Sequence, residues 1–135
     1  QQHIEAQCKR LRILGFTGTP IIRGNLNAMD KSLLPSLQTV CTEILNNIAK
    51  HGKPGAFAFI LSVGPDAVRI FASNLYNAAI NSAPENHYGT ALIQDFAQQH
   101  NGTMTINSEN EEWSLSLTIP LAHQVKLMFS PTEKL

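Results

Sequence analysis

In "WSLSLTI", residues 113–119, Trp113, Leu115, Leu117 and Ile119 alternate with Ser114, Ser116 and Thr118. A strand of this kind must bury one face and can leave the other in water, which is how strands behave in an antiparallel sheet covered on a single side. A second period-two run, "AFAFILSV", puts Phe57, Phe59, Leu61 and Val63 on one side. The turn-former "GPD" at 64–66 then leads into "AVRIF", predicting a hairpin. "TMTIN" precedes a polar turn and gives residues 113–119 a hairpin partner of their own. Any such sheet needs a cover, and two segments can supply it. From about Asp30, Leu33, Leu37, Val40, Cys41, Ile44 and Ile48 recur at helical spacing, with Gly52 and Pro54 predicting the stop. In "GTALIQDFAQQHNG", Leu92, Ile93, Phe96 and Ala97 form a second apolar stripe that ends at Asn101-Gly102.

The order helix, hairpin, loop, helix, hairpin predicts an α+β two-layer sandwich, with helices on one face of a mixed, mostly antiparallel sheet. Residues 1–12 are polar and helix-compatible, and are expected to be the tail of a preceding helix or a linker. "RILGFTGTPIIRGN" reads as a short strand and loops. Residues 73–88 follow neither period and are expected to form one long loop, a length that usually signals function or disorder. Regularity fades after Pro120, so the domain is placed at residues 13–122 and a tail at 123–135.

Composition narrows the function. Ten basic and ten acidic residues balance, which leaves no electrostatic case for nucleic acid or an anionic membrane. No apolar run approaches the ~20 residues of a membrane span. Cys8 and Cys41 have no metal-ligand spacing. Cys41 sits on an apolar helix stripe and is expected to be a buried thiol, compatible with a reducing cytoplasm. His87 and His100 have no acidic or Cys partner at ligand spacing, and neither Ser73 nor Ser82 lies in a nucleophile elbow. His3 is followed by Ile4 and lacks the acidic neighbour of a phospho-accepting histidine.

The polar residues of "TEILNNIAKHG", 42–52, are the chemical candidates. At roughly 100° per residue, Glu43, Asn47 and Lys50 fall within about 60° of one another, with His51 at the edge of the group. This stripe flanks the apolar one, and Asn46 points away from it to the solvent side. A solvated helix face would account for such a stripe. So would a magnesium-phosphate ligand: an amide oxygen can ligate a hard cation, a carboxylate can hold its waters, and Lys and His can meet phosphate oxygens.

The same segment resembles the N-box of the GHKL ATPases. It is most similar to that of sensor histidine kinases of the nitrate-sensor and sugar-phosphate-sensor type, which reads like Glu-Ala-Leu-x-Asn-x-x-Lys-His-Ala. "NHYGTALIQDFAQQHNGTMTI" is similar to the G-box region of those kinases, and the order of elements agrees over residues 30–120. The resemblance implies a Bergerat α/β sandwich that binds ATP and Mg²⁺, with adenine between sheet and helices. It implies Asn47 as the magnesium ligand, Glu43 as the catalytic group that orients a water or assists proton removal, and Lys50 and His51 near the phosphates. The implied reaction moves the γ-phosphoryl group of ATP to a histidine on a dimerisation domain of the same protein, and from there to a response regulator. It implies a cytoplasmic domain whose parent can be a membrane-anchored sensor.

Two motifs depart from the family pattern. Where the kinases carry Asp-x-Gly-x-Gly, the aligned stretch is "FASNLYNAA", with Ser73 expected at the adenine-binding Asp and Leu75 and Asn77 at the glycines. In the G-box, Gly89 matches the second glycine, but His87 stands at the first. One glycine makes a poor phosphate cradle. Each departure costs on the order of 1–3 kcal/mol of nucleotide binding. A second function class therefore stands beside the kinase: a kinase-like scaffold or regulatory module that no longer binds ATP well. On that reading, Leu75 or Tyr76 is expected to fold back and fill the adenine position.

Overall fold

The computed structural model describes residues 2–26, 29–76 and 90–121. The loop expected at 77–88, Gly89 and the tail after residue 121 lie outside these. Among the described residues, three helices, α1 (Gln2–Ile13), α2 (Leu34–His51) and α3 (Thr90–Gln99), accompany five strands. These are β1 (Ile21–Arg23), β2 (Gly52–Val63), β3 (Ala67–Tyr76), β4 (Thr103–Glu109) and β5 (Glu112–Pro120). The strands form one sheet in the order β1-β2-β3-β5-β4, parallel only between β1 and β2. This is the α+β two-layer sandwich expected from the sequence.

α2 starts at Leu34, as the periodicity from Leu33 onward predicts. Ahead of it the Asp30 carboxylate accepts both the backbone N–H (2.9 Å) and the hydroxyl (3.0 Å) of Ser32, a turn that leads into the helix. Pro35 then lies in the first turn, where a missing N–H costs nothing. At the other end the Gly52 N–H still bonds to Ile48 O, while its backbone is already extended (φ −78°, ψ 159°). Helix therefore passes into β2 with no loop between them. α3 closes as expected: Asn101 takes φ 58° and the Gly102 N–H reaches back to Ala97 O at 2.7 Å.

Sheet parity decides what is inside. Phe57, Phe59 and Leu61 of β2, Val68, Ile70 and Ala72 of β3, and Trp113, Leu115, Leu117 and Ile119 of β5 are buried in one cluster. That cluster also takes Leu37, Val40, Cys41, Ile44, Leu45 and Ile48 from α2, and Ile93, Phe96 and Ala97 from α3. Phe71 and Leu75 point to the opposite face, each 39% exposed.

One expectation is corrected here. Residues 73–76 are not loop but the end of β3, pairing Ser73 with Ala58 and Ser114, and Asn74 with Phe57 and Trp113. Pairing on both sides overrides the weak strand preference of Ser and Asn. Residues 1–12, expected to be the tail of a preceding helix or a linker, are helical and pack on the domain: Ile4, Cys8 and Leu11 of α1 belong to the core cluster, and His3 Nε2 meets Thr42 Oγ1 of α2 at 2.6 Å.

Both cysteines are buried and unbridged. Burial pushes the Cys8 thiol up from 9.0 to about 11, with Arg12 pulling slightly down and Glu5 slightly up. Burial likewise pushes Cys41 up to about 12. A raised acid pKa means that the folded state holds its proton longer than the unfolded one. The contribution of these thiols to stability is thus complete below pH 9 and is lost as pH rises through 11 and 12. Urea unfolding between pH 8 and pH 11 should show stability falling above pH 9, by up to about 1.4 kcal/mol per pH unit for each thiol. Cys41→Ala should flatten that slope.

Candidate functional site

Among the described residues, two buried side chains are polar, Asn47 (6% exposed) and Asn74 (5%). Asn47 lies on α2 one turn before its end, beside Ile48 and on the flank of the apolar stripe. Neither its Oδ1 nor its Nδ2 has a hydrogen-bond partner among the described residues. An unpaired buried amide costs about 1–3 kcal/mol, so its presence here calls for a cause other than stability.

The rest of the predicted stripe is arranged around it. Glu43 and His51 are half-buried and Lys50 is exposed. Asn46, expected to face solvent, is instead half-buried toward α1, where Arg10 Nη1 lies 3.5 Å from its Oδ1. α1 occupies that side of α2, as the His3–Thr42 contact also shows. The opposite flank faces α3. There a cleft is walled by Ser36, Thr39 and Val40 of α2 and by Leu92, Phe96 and Gln99 of α3. A second cavity joins Ser32 and Leu33, before α2, to Gln99 and His100, at the end of α3. The start of α2 therefore lies by the end of α3, and the two helices run antiparallel. Asn47 is two turns beyond Val40, about 10 Å further along the axis.

Ser73 is not part of this site. It is half-buried on the outer face, because strand parity turns its neighbours Ala72 and Asn74 inward. Asn74 takes the inward place. Its Nδ2 donates to Leu75 O at 2.7 Å, which leaves Oδ1 as the atom offered to a ligand. Gly52 makes room for it: a Cβ on Gly52 would lie 2.2 Å from Asn74 Nδ2. Leu75 does not fold back toward Asn74. It projects from the outer face, with Cδ1 3.7 Å from where a Gly55 side chain would begin. The side chain of Tyr76, like Gly89, lies outside the described residues. The sequence expectation named Ser73 and missed Asn74, because the end of β3 is set by pairing with β2 and β5 rather than by local spacing.

No group of three or more His, Cys, Asp or Glu among the described residues is placed to hold a metal ion. A magnesium ion at Asn47 would take its other ligands from phosphate and water, which is how Mg²⁺ usually binds beside nucleotides. The orphaned Asn47 amide fits such a role.

No protein-family model and no curated protein sequence matches the chain. Solved structures do. The nucleotide-free catalytic domain of histidine kinase ThkA superposes with a TM-score of 0.64 at 11% identity, over 89% of this chain and 92% of that one. Histidine kinase AdeS of Acinetobacter baumannii gives 0.67 at 11% identity, over 89% of this chain and 61% of that one. The blue-light activated histidine kinase of Erythrobacter litoralis gives 0.63 at 11% identity, over 90% and 41%. The chain thus shares the fold of these histidine kinase catalytic domains, a two-layer α/β sandwich. It spans nearly all of an isolated catalytic domain and about half of the longer kinases.

If Asn47 is kept for a ligand, removing its polarity should help the empty protein. Asn47→Leu, close in size, is expected to raise the stability of the ligand-free domain by about 1–3 kcal/mol in urea unfolding. A loss of stability would mean that the amide is paired in solution.

Proposed function

We propose that the chain is the ATP-binding, catalytic domain of a two-component sensor histidine kinase. It would pass the γ-phosphoryl group of ATP to a histidine on a dimerisation domain outside the sequence described, which in turn serves a response regulator. The observation that carries this reading is Asn47, a buried amide on α2 with no partner among the described residues, in a sandwich with the fold of kinase catalytic domains.

In this reading Asn47 Oδ1 holds the magnesium ion that accompanies ATP. That ion neutralises charge on the phosphates when bound. Glu43, one turn earlier on the same flank, orients a water of the ion or assists proton removal. Lys50 and His51 meet phosphate oxygens from the end of α2. Asn74, rather than Ser73, accepts the adenine amino proton at Oδ1, since its Nδ2 is committed to Leu75 O. Gly89, next to the start of α3, supports the phosphates. Positioning and charge neutralisation supply most of what phosphoryl transfer needs.

The second reading, a regulatory module that binds ATP poorly, draws on a different observation. Phe57 and Trp113 are the direct strand neighbours of Asn74, so the base position is crowded on both sides. A neutral amide also binds an amino group less strongly than a carboxylate would.

Calorimetric titration with ATP, with and without magnesium, separates the two. The kinase reading expects magnesium-dependent binding that Asn47→Leu removes and Asn74→Ala weakens roughly tenfold, a loss of about 1.4 kcal/mol. A dissociation constant well below about 100 μM excludes the second reading, and absence of heat at millimolar ATP excludes the first.

A further inference from the structure

Trp113 is the single tryptophan of the chain, and it opens the inward row of β5. It lies directly opposite Asn74 in the β3–β5 register, and Phe57 lies opposite Asn74 on the other side. All three side chains point to the helices and are buried, Trp113 to 4% and Phe57 to 7% exposure. The rest of the β5 inner row, Leu115, Leu117 and Ile119, is aliphatic and packs beneath α2 and α3. The largest side chain of that row therefore stands beside the polar one and at the end of the sheet where α2 stops.

Directly opposed residues on one face have Cβ atoms about 4.5–5.5 Å apart. A purine whose amino group lies within hydrogen-bond reach of Asn74 Oδ1 must then touch the indole. Asn74 cannot swing away to relieve that contact. Its Nδ2 is tied to Leu75 O, and it is backed by the space at Gly52 that any side chain would fill. The indole thus borders the edge of the base that carries the exocyclic amino group.

We propose that Trp113 is the residue that sets the size limit of the base site, contacting adenine and excluding purines with a substituent on the amino nitrogen. This rests on the base position proposed at Asn74. It goes beyond that position by assigning substrate selectivity to one indole, on a strand that contributes no other polar group to the site. Phe57 cannot serve in the same way. Its ring is pinned by the Gly18 backbone, where a Cβ would lie 2.9 Å from Cδ1 and Cε1.

The full chain, its Trp113→Ala and its Trp113→Phe variants should be titrated calorimetrically with Mg-ATP and with Mg-N6-benzyl-ATP. The variants' folds are to be checked by far-ultraviolet circular dichroism. The native chain is expected to bind ATP and not the benzyl analogue. Trp113→Ala should bind the analogue at least about tenfold more tightly than the native chain does, with Trp113→Phe between them. ATP binding that appears only in Trp113→Ala would support the same limit in its strictest form. If the native chain and Trp113→Ala bind ATP alike and the variant gains nothing for the analogue, the size limit is overturned while the base site stands. If no folded form binds either nucleotide, both fall. Should Trp113→Ala fail to fold, the native indole decides alone. Its fluorescence must shift or quench on ATP binding, and calorimetric binding without any change in emission overturns the contact.

Discussion

Burial of one sheet face by α2 is the contact on which the other features depend. Phe59, Leu61, Ile70 and Leu115 from three strands meet Ile44, Leu45 and Ile48 from the helix, and all of them are almost wholly withdrawn from water. Each large side chain buried this way contributes about 1.5–3 kcal/mol. Because α2 runs into β2 through Gly52 alone, its rotation is fixed by the strand that follows. That rotation determines which flank meets α1 and which meets α3. Asn46 and Asn47, adjacent in sequence, end on opposite flanks for this reason, one beside Arg10 and one toward the α3 cleft.

Against this apolar background the two buried asparagines act as a pair of exceptions with different costs. Asn74 meets part of its own need through Leu75 O and a space reserved at Gly52. Asn47 meets none of it. Proteins keep an unsatisfied buried amide where function offsets the loss of stability. On the proposed function the two would serve as a metal ligand and a base acceptor, from two different elements.

The elements themselves were largely legible in the chain. Period-two runs located β2, β4 and β5, and helical spacing located α2 and α3, because a half-covered sheet and its covering helices leave that alternation in the sequence. The end of β3 was not legible. Ser73 and Asn74 have little strand preference of their own, and what makes them strand is backbone pairing with β2 on one side and β5 on the other. The same hidden extension turned Asn74, and not Ser73, to the inner face, since one step along a strand exchanges its faces. The helical character of α1 was legible, but its packing on the core was not. Its three buried residues, Ile4, Cys8 and Leu11, carry too weak an apolar signal among charged neighbours.

By itself the sequence determined the alternation that makes a one-sided sheet, the helical stripe that covers it and the polar group 43–51 set on the flank of that stripe. These depend on local spacing, which the chain carries in its order of residues. Tertiary structure decided which asparagine is orphaned in the core and which turns to α1, and which residue at the end of β3 faces inward. It also decided that Trp113 stands beside Asn74. Those choices come from pairing and packing between separate segments, such as Asn74 with Trp113 and Asn46 with Arg10, and no local spacing records them.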